Sequence, residues 1–526
     1  MSKIQKLEKE RVFTKEKMIK DLLSVSKEFF VNYPKEEYVS RDYFRYKGGY
    51  SDHEINALFG NYSLFKKHVQ NNLNERKREN IDIVKENKKD NKKFVISSII
   101  PNMITSENTL ASIKGYCKTK RAELLLLPMR GVKVKEEFDK LTFEKLSKYF
   151  VTDFSFNSSI KAKELQKSPT AKDPFFGLEN LGHKKYSIIL SSSKQELKTV
   201  SSGMNKLPHL MVSTGTINEP LYKKDQNGVV ASQYHKKGGV IVEVKDKKIF
   251  FIRQFQTDKK GGFNDLGKYY CNGKIKKSPP EIILMEPHLG DEDSVAMKVA
   301  EEITRETNVK RIGLQDAFDM RSINRHEKDD AFKKAKRLDY QKSIEEELNY
   351  AGKKLEEWSK KFRKKEIIII PSNHGIGFIY YYLTIGEHTR SDVNGKLGGI
   401  LYNVMMEGKN PFEWYLRSKF DIPNVKFLEV DTSFKIAGIE LNCHGHMGMS
   451  GQRGTPVGLE RRYGKCFGGH THSPLIWHDV YKIGCSSNLK PEYTKGYGSK
   501  WLHCVGLLYS DGSVQLVISM ENQWKL

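Results

Sequence analysis

Five short stretches in the second half of the chain combine metal-ligating side chains with glycine, asparagine or proline. They are Glu286-Pro287-His288, QDAFD (315–319), SNHG (372–375), NCHGHMG (442–448) and GGHTHSP (468–474). Imidazole nitrogens and carboxylate oxygens suit manganese, iron, zinc and similar divalent ions. His470 and His472 stand at i and i+2, and in an extended segment they face the same side, so they can converge on neighbouring ions. Gly468 and Gly469 let the backbone turn sharply before them. Asp316 is a carboxylate that can bridge two cations, and Asn373 offers a neutral oxygen. Two cations about 4 Å apart clamp a phosphate and lower the pKa of a bound water. Each motif alone is common: an Asp after a strand is usually a helix cap, and Ser-Asn-His-Gly is usually a turn. The ordered set, each member after an expected strand, is far more specific. Eight of the fifteen histidines also lie after residue 370, against about four expected from length.

The elements that must carry these residues read as an α/β alternation. Apolar runs at 281–285, 311–314 and 367–370 predict buried strands, and 293–307 predicts a helix with Val295, Val299 and Ile303 on one face. Loops at the carboxyl ends of such strands are where α/β folds build sites. Strands are expected again at 425–430, 436–442, 464–469, 475–484, 501–509 and 514–519. Residues 329–365 predict one or two long charged helices. Upstream, a strand at 94–100, a helix at 107–119 and a strand at 123–128 form a β-α-β unit. Residues 228–256 read as further strands, at 239–244 and 248–253, with a hairpin turn at Cys271-Asn272-Gly273. His235 and Arg253 could face a shared cleft, although ordinary structural roles are the weightier reading. Residues 1–90 are helical in pattern: an amphipathic helix at 15–30, a Ser40 cap, a Gly48-Gly49 turn, a Ser51/Glu54 capping box and a short helix from Asn61. Such helices joined by Gly-containing turns fit a helix-turn-helix-like module, and 71–93 reads as a charged linker. The expected organisation is thus a helical module at 1–90, an α/β middle domain at 91–277 and a catalytic domain at 278–526.

Composition narrows the class. The 526 residues carry 90 Lys+Arg against 65 Asp+Glu, a net charge of +25, which favours a polyanionic partner. The six cysteines form no CxxC pair, which argues against a zinc ribbon and gives no support for a disulfide framework. No stretch is apolar enough to span a membrane, and the first residues are too charged for a secretory signal. A cytoplasmic protein is expected. The charged segment 340–365 has a sparse apolar stripe (Ile344, Leu348, Ala351, Leu355, Trp358, Phe362) that either packs on its own domain or forms a homo-oligomer contact.

The ordered motifs resemble those of the calcineurin-like metallophosphoesterase superfamily: Asp-x-His, Gly-Asp, Gly-Asn-His, His, then Gly-His-x-His. GGHTHSP is the strongest match and SNHG the second, and the resemblance covers roughly 278–526. It implies a four-layer α/β/β/α sandwich with two divalent ions, Mn²⁺ first among Mg²⁺, Zn²⁺ and Fe. Glu286 and His288 would stand at the first motif, Asp316 would bridge, and Asn373, His444 and His470 would hold the second ion. His472 would hold the first, and His374 would be the catalytic histidine; His446 is a weaker candidate than His444. Two positions depart from the family: Glu286 replaces the usual Asp, and Gln315 replaces the usual Gly before Asp316. SNHG also lacks the acid that often follows the histidine.

YHKKGGVIVEV (234–244), FFIRQFQTD (250–258), GGFNDLGKYY (261–270) and YKIGCSSNLKPEYTKGYGSKWLH (481–503) follow the order seen in large phage-encoded metallophosphatase-type proteins, so that most of 91–526 resembles them, and these are similar to phage early proteins involved in host-DNA degradation. More distantly it resembles the nuclease subunit of double-strand-break repair complexes. The segment RDYFRYKGGYSDHEINALFGNYSLFKKH resembles small DNA-binding repeats found beside phage and homing-type endonucleases. It implies DNA contacts by Arg41, Arg45, Lys47, Lys66 and Lys67. The function implied is a metal-dependent DNase working in a host bacterial cytoplasm. The alternatives are a phosphatase of phosphoproteins or small phosphate esters, and a DNA-binding scaffold with a degenerate metal site.

Overall fold

The computed structural model describes residues 92–526 apart from 131–137, 166, 179–180, 182–185, 204–206, 325–342 and 491–498; before these it describes 17, 18, 21, 51, 54, 57 and 84–86. The chain divides into two compact units, Met1–Val84 and Lys85–Leu526. In the first, Lys17, Met18 and Asp21 are helical, as the amphipathic pattern predicts. The Ser51/Glu54 capping box forms: Ser51 N donates to Glu54 Oε2 (2.8 Å) and Glu54 N to Ser51 Oγ (3.3 Å). Arg41, Arg45, Lys47, Lys66 and Lys67 lie outside the described residues.

The second unit is mixed α/β. Its central six-stranded sheet runs in the order Val425–Phe427, Glu366–Ile369, Arg311–Leu314, Ile282–Met285, Cys504–Leu508, Val514–Ile518. The first four strands are mutually parallel, and the last two close the sheet antiparallel. Near-continuous apolar runs make these strands, and their period of two divides the side chains between two cores. Ile283, Met285, Ile312, Leu314, Ile367 and Ile369 face a helical layer. Ile282, Leu284 and Ile368 face other strands, including Phe94, Val240, Phe467 and Tyr481.

The helical layer holds Ser294–Glu306, Ile344–Lys361, Phe378–Thr384, Gly395–Met406 and Pro411–Lys419. The Ile344–Lys361 helix begins at a capping box between Ser343 and Glu346. Its apolar stripe (Leu348, Ala351, Leu355, Trp358) is buried in the chain's own core. No helix among the described residues is long and apolar enough to cross a membrane.

On the other face lie a four-stranded sheet (Lys93–Ile99, Glu123–Pro128, Gly238–Val244, Phe250–Gln256) and a long mixed sheet. The expected β-α-β unit forms, with helix Glu107–Lys120 between parallel strands. The hairpin at 271–273 forms too, with Asn272 and Gly273 both at positive φ (46° and 76°), the conformation a two-residue turn between twisted strands requires. Position 278, the expected domain boundary, is bridged by structure. Leu197–Val200 pairs with Leu475–Trp477 inside the long sheet, through Leu197 and Ile476. Asn264 Nδ2 also donates to Asp511 Oδ2 (2.8 Å). His235 and Arg253 share no cleft: His235 bonds Tyr222 and the Asn218 carbonyl, while Arg253 is buried between Glu243 and Asp265.

Candidate metal centre

The parallel strands Ile282–Met285, Arg311–Leu314 and Glu366–Ile369 end at one edge of the sheet, and the residues that follow them meet there. Glu286 follows its strand directly. His288 lies two residues on, and its N–H donates to the Asp316 carbonyl (2.9 Å) while Leu289 N donates to the Ala317 carbonyl (3.0 Å). This stitches the first two loops together. Cys466–Gly468 delivers His470 and His472 from the long sheet, and Gly469 N donates to the His444 carbonyl (3.0 Å). His470 and His472 do not sit in an extended segment as expected. Both have positive φ (74° and 52°), as do His288 (48°) and Asp316 (35°). Non-glycine residues held there are strained, and such strain gathers at functional sites.

The side chains form three overlapping groups: Glu286, His288, Asp316 and His472; Asp316, His444 and His470; and His288, Asp319 and His374. Asp316 belongs to the first two. In the first group His472 Nε2 is 3.0 Å from Glu286 Oε1 and 3.0 Å from His288 Nε2, which in turn is 3.5 Å from Asp316 Oδ2. In the second, His444 Nε2 is 3.0 Å from Asp316 Oδ2, and the His444 and His470 rings are 5.0 Å apart. Asn373 follows the third strand in the turn that Ser372 caps, and its Oδ1 is buried without a hydrogen-bond partner. His446 lies beside the second group, its ring 5.4 Å from that of His444.

Two residues missed in the sequence orient these ligands. Asp319 Oδ1 accepts from His288 Nδ1 (3.1 Å) and lies 3.5 Å from His374 Nδ1. Gln315 Nε2 donates to the Cys443 carbonyl, which leaves Gln315 Oε1 to accept from His444 Nδ1 (3.0 Å). Both histidines thus keep their Nδ1 proton on these partners and turn Nε2 toward Asp316. The second acid of QDAFD was the available signal for Asp319; Gln315 stood out as a departure from the family motif, but with no role attached to it. Trp501 packs edge-on against His472, with centroids 4.1 Å apart.

The extra methylene of Glu286 is accommodated by Gly469, where a Cβ would stand 2.0 Å from Glu286 Oε2. The carboxylate is then fixed by the His470 backbone N–H, at 3.1 and 3.0 Å from its two oxygens.

The electrostatics fit a cation. Burial alone would raise the Glu286 carboxyl, but His472 and His288 hold it down at about 2. Burial opposes Asp316 in the same way, yet His444, His374 and His288 hold it well below the carboxylate range. Burial, reinforced by His444, pushes His470 down to about 3. Burial also lowers His472. His288 goes the other way: despite burial, Asp316 and Asp319 raise it well above an ordinary histidine, so a proton there balances the carboxylates.

The fit to divalent cations rests on orphaned atoms. Asp316 Oδ1 and Oδ2, Asn373 Oδ1 and His444 Nε2 are buried without hydrogen-bond partners. His444 Nε2 and Asp316 Oδ2 are close in distance but lack hydrogen-bond geometry. Lone pairs brought face to face this way repel unless a cation lies between them.

The arrangement therefore defines a mixed α/β protein with a buried histidine–carboxylate centre that could hold metal. No known family model matches the chain. It is similar to Protein A1 of Escherichia phage T5, at 27% identity over 468 residues covering 82% of this chain and 82% of that protein.

Proposed function

We propose that the chain is a metal-dependent phosphodiesterase of the calcineurin-like metallophosphoesterase type, phage-encoded and acting on host DNA in the bacterial cytoplasm. The observation that carries this is the double convergence on Asp316: one carboxylate shared by two ligand groups, each with an imidazole whose Nδ1 proton is anchored elsewhere. Glu286, His288, Asp316 and His472 would hold one ion; Asp316, Asn373, His444 and His470 would hold the other. Manganese is the first choice.

Bound there, divalent cations would supply Lewis acidity toward a phosphoryl oxygen and lower the pKa of water. The rest is the work of the chain's own groups. Asp319 holds His374 through Nδ1, and although burial opposes it, Asp316 and Asp319 raise the His374 pKa, which favours the protonated ring that would serve the leaving oxygen. The net charge of +25 attracts the phosphate backbone, and the 1–90 segment, through Arg41, Arg45, Lys47, Lys66 and Lys67, would hold the duplex.

The test compares plasmid DNA, bis(p-nitrophenyl) phosphate and a phosphomonoester, each with a metal series and with EDTA. Mn²⁺-dependent hydrolysis of both diesters, abolished in His472→Ala, supports the proposal. Turnover of the monoester alone makes the protein a phosphatase. Absence of bound metal after manganese soaking, with no hydrolysis, overturns it.

A further inference from the structure

The loop that follows the second ligand group is a built hairpin with an outward face that the metal centre does not use. Met447 and Arg453 pair as an antiparallel bridge. Gly448 N donates to the Gln452 carbonyl (2.7 Å) and Gly454 N to the His446 carbonyl (2.9 Å). Ser450 and Gly451, both at positive φ (54° and 75°), make the tip. The limbs touch at the root, where a Cβ on Gly454 would lie 2.0 Å from the Gly445 carbonyl oxygen. Arg462 Nη1 donates to the Gly448 carbonyl (3.0 Å), and the buried Lys482 Nζ donates to that of Gly454 (3.3 Å).

This well-tied element displays apolar side chains to solvent. Met447 is 41% exposed and Met449 47%. Arg453 and Gln452 are exposed beside them. Residues 444–465 carry four basic side chains (Arg453, Arg461, Arg462, Lys465) and one acid, Glu460, which already bonds Tyr234 and His478; Arg462 is tied to the Gly448 carbonyl and Lys465 to Asp479, so the exposed charge beside the hairpin comes from Arg453 and Arg461. Holding methionines rigidly in water gains nothing for the fold, whereas against an aromatic face their polarisable thioethers gain contact.

We propose that this hairpin is a nucleic-acid contact that seats a single-stranded DNA segment beside the centre, a proposal that rests on the DNase reading above. Arg453 takes a backbone phosphate, and Met447 and Met449 lie on base faces. A single strand is the occupant because its base faces are open, whereas a duplex presents phosphates and groove edges. The hairpin's root fixes the register: His446 is its first residue, with its ring 5.9 Å from that of His470, so the strand it grips is the one entering the centre.

Methionine oxidation reads this contact without turnover. With full-length protein and a hydrolysis-resistant phosphorothioate single strand of about 20 nucleotides, peroxide oxidation of Met447 and Met449 slows at least about fivefold at saturation. Met406, 66% exposed, is the control and is unaffected. Unchanged oxidation of Met447 and Met449, or no binding of the strand, overturns the proposal. In parallel, Arg453→Ala and the double variant Met447→Ser/Met449→Ser lower DNA hydrolysis about tenfold and leave bis(p-nitrophenyl) phosphate hydrolysis within about twofold. Equal loss on both substrates makes the hairpin a mere support for its neighbours and also overturns it. Methionine protection with no hydrolysis of any substrate by the unaltered protein sustains the contact and sinks the DNase reading instead.

Discussion

Two clusters of buried charge in the same unit are built on opposite principles. Around Arg253 every partner answers another. Its guanidinium meets Asp265 Oδ1 at 2.9 Å and Glu243 Oε2 at 3.4 Å; Tyr116 donates to Asp265 (2.8 Å), Gln515 to Asp265 (3.1 Å) and the Leu526 N–H to Glu243 (3.0 Å). Around Asp316 the donors and acceptors do not cancel. Imidazole nitrogens and carboxylate oxygens converge, and several buried atoms find no hydrogen bond. Burial is equally deep in both, so burial of charge alone does not mark a functional site. Residual, convergent lone pairs do.

Substitutions should separate the two. Asp316→Asn should abolish hydrolysis, by about a thousandfold or more, and strip bound metal while the fold persists. Metal analysis and unfolding curves on the same preparation check this, and a variant that keeps both metal and activity would make the two clusters alike. Arg253→Ala should do the reverse. It leaves Asp265 buried without a counter-charge and Glu243 with Lys93 alone (3.3 Å), costs about 3–5 kcal/mol in denaturant unfolding, and leaves kcat of the folded fraction unchanged.

Gly469→Ala is subtler. The added methyl must displace Glu286, so metal affinity should fall about 10- to 100-fold in a chelator competition, with little change in unfolding. The smallest effect concerns acid. Burial would raise Glu243, but Arg253 and the Leu526 N–H bring it from 4.5 down to about 2. A carboxylate with a depressed folded-state pKa stabilises above about pH 4.5 and loses that contribution as pH falls toward about 2. Glu243→Gln should therefore flatten the pH dependence of stability across that window and leave it unaltered near neutrality.

Much of the central sheet was legible because its strands are apolar runs such as Ile367–Ile370, and buried parallel strands need little else. The ligand-bearing loops were legible as an ordered set, and Glu286, His288, Asp316, His444, His470 and His472 do meet. Gln315 and Asp319 were not assigned because their value lies in which ring nitrogen they hold, a relation across more than a hundred residues for Gln315 and His444. The strands Ser187–Leu190, Leu197–Val200 and His209–Ser213 escaped for a similar reason: each is short, and its partners are set by tertiary pairing. The helices Gly395–Met406 and Pro411–Lys419 were also passed over, glycine-rich in the first case and proline-led in the second.

The pairing of Leu197 with Ile476 has a practical consequence for anyone dissecting the chain. A fragment starting near 278 would keep every proposed ligand yet leave Leu475–Trp477 as a bare sheet margin, an invitation to stick to its own kind. The ligand loops lie in one half of the sequence, but they are propped by the other, and only a piece beginning upstream of the first paired strands should come out of the cell in working order.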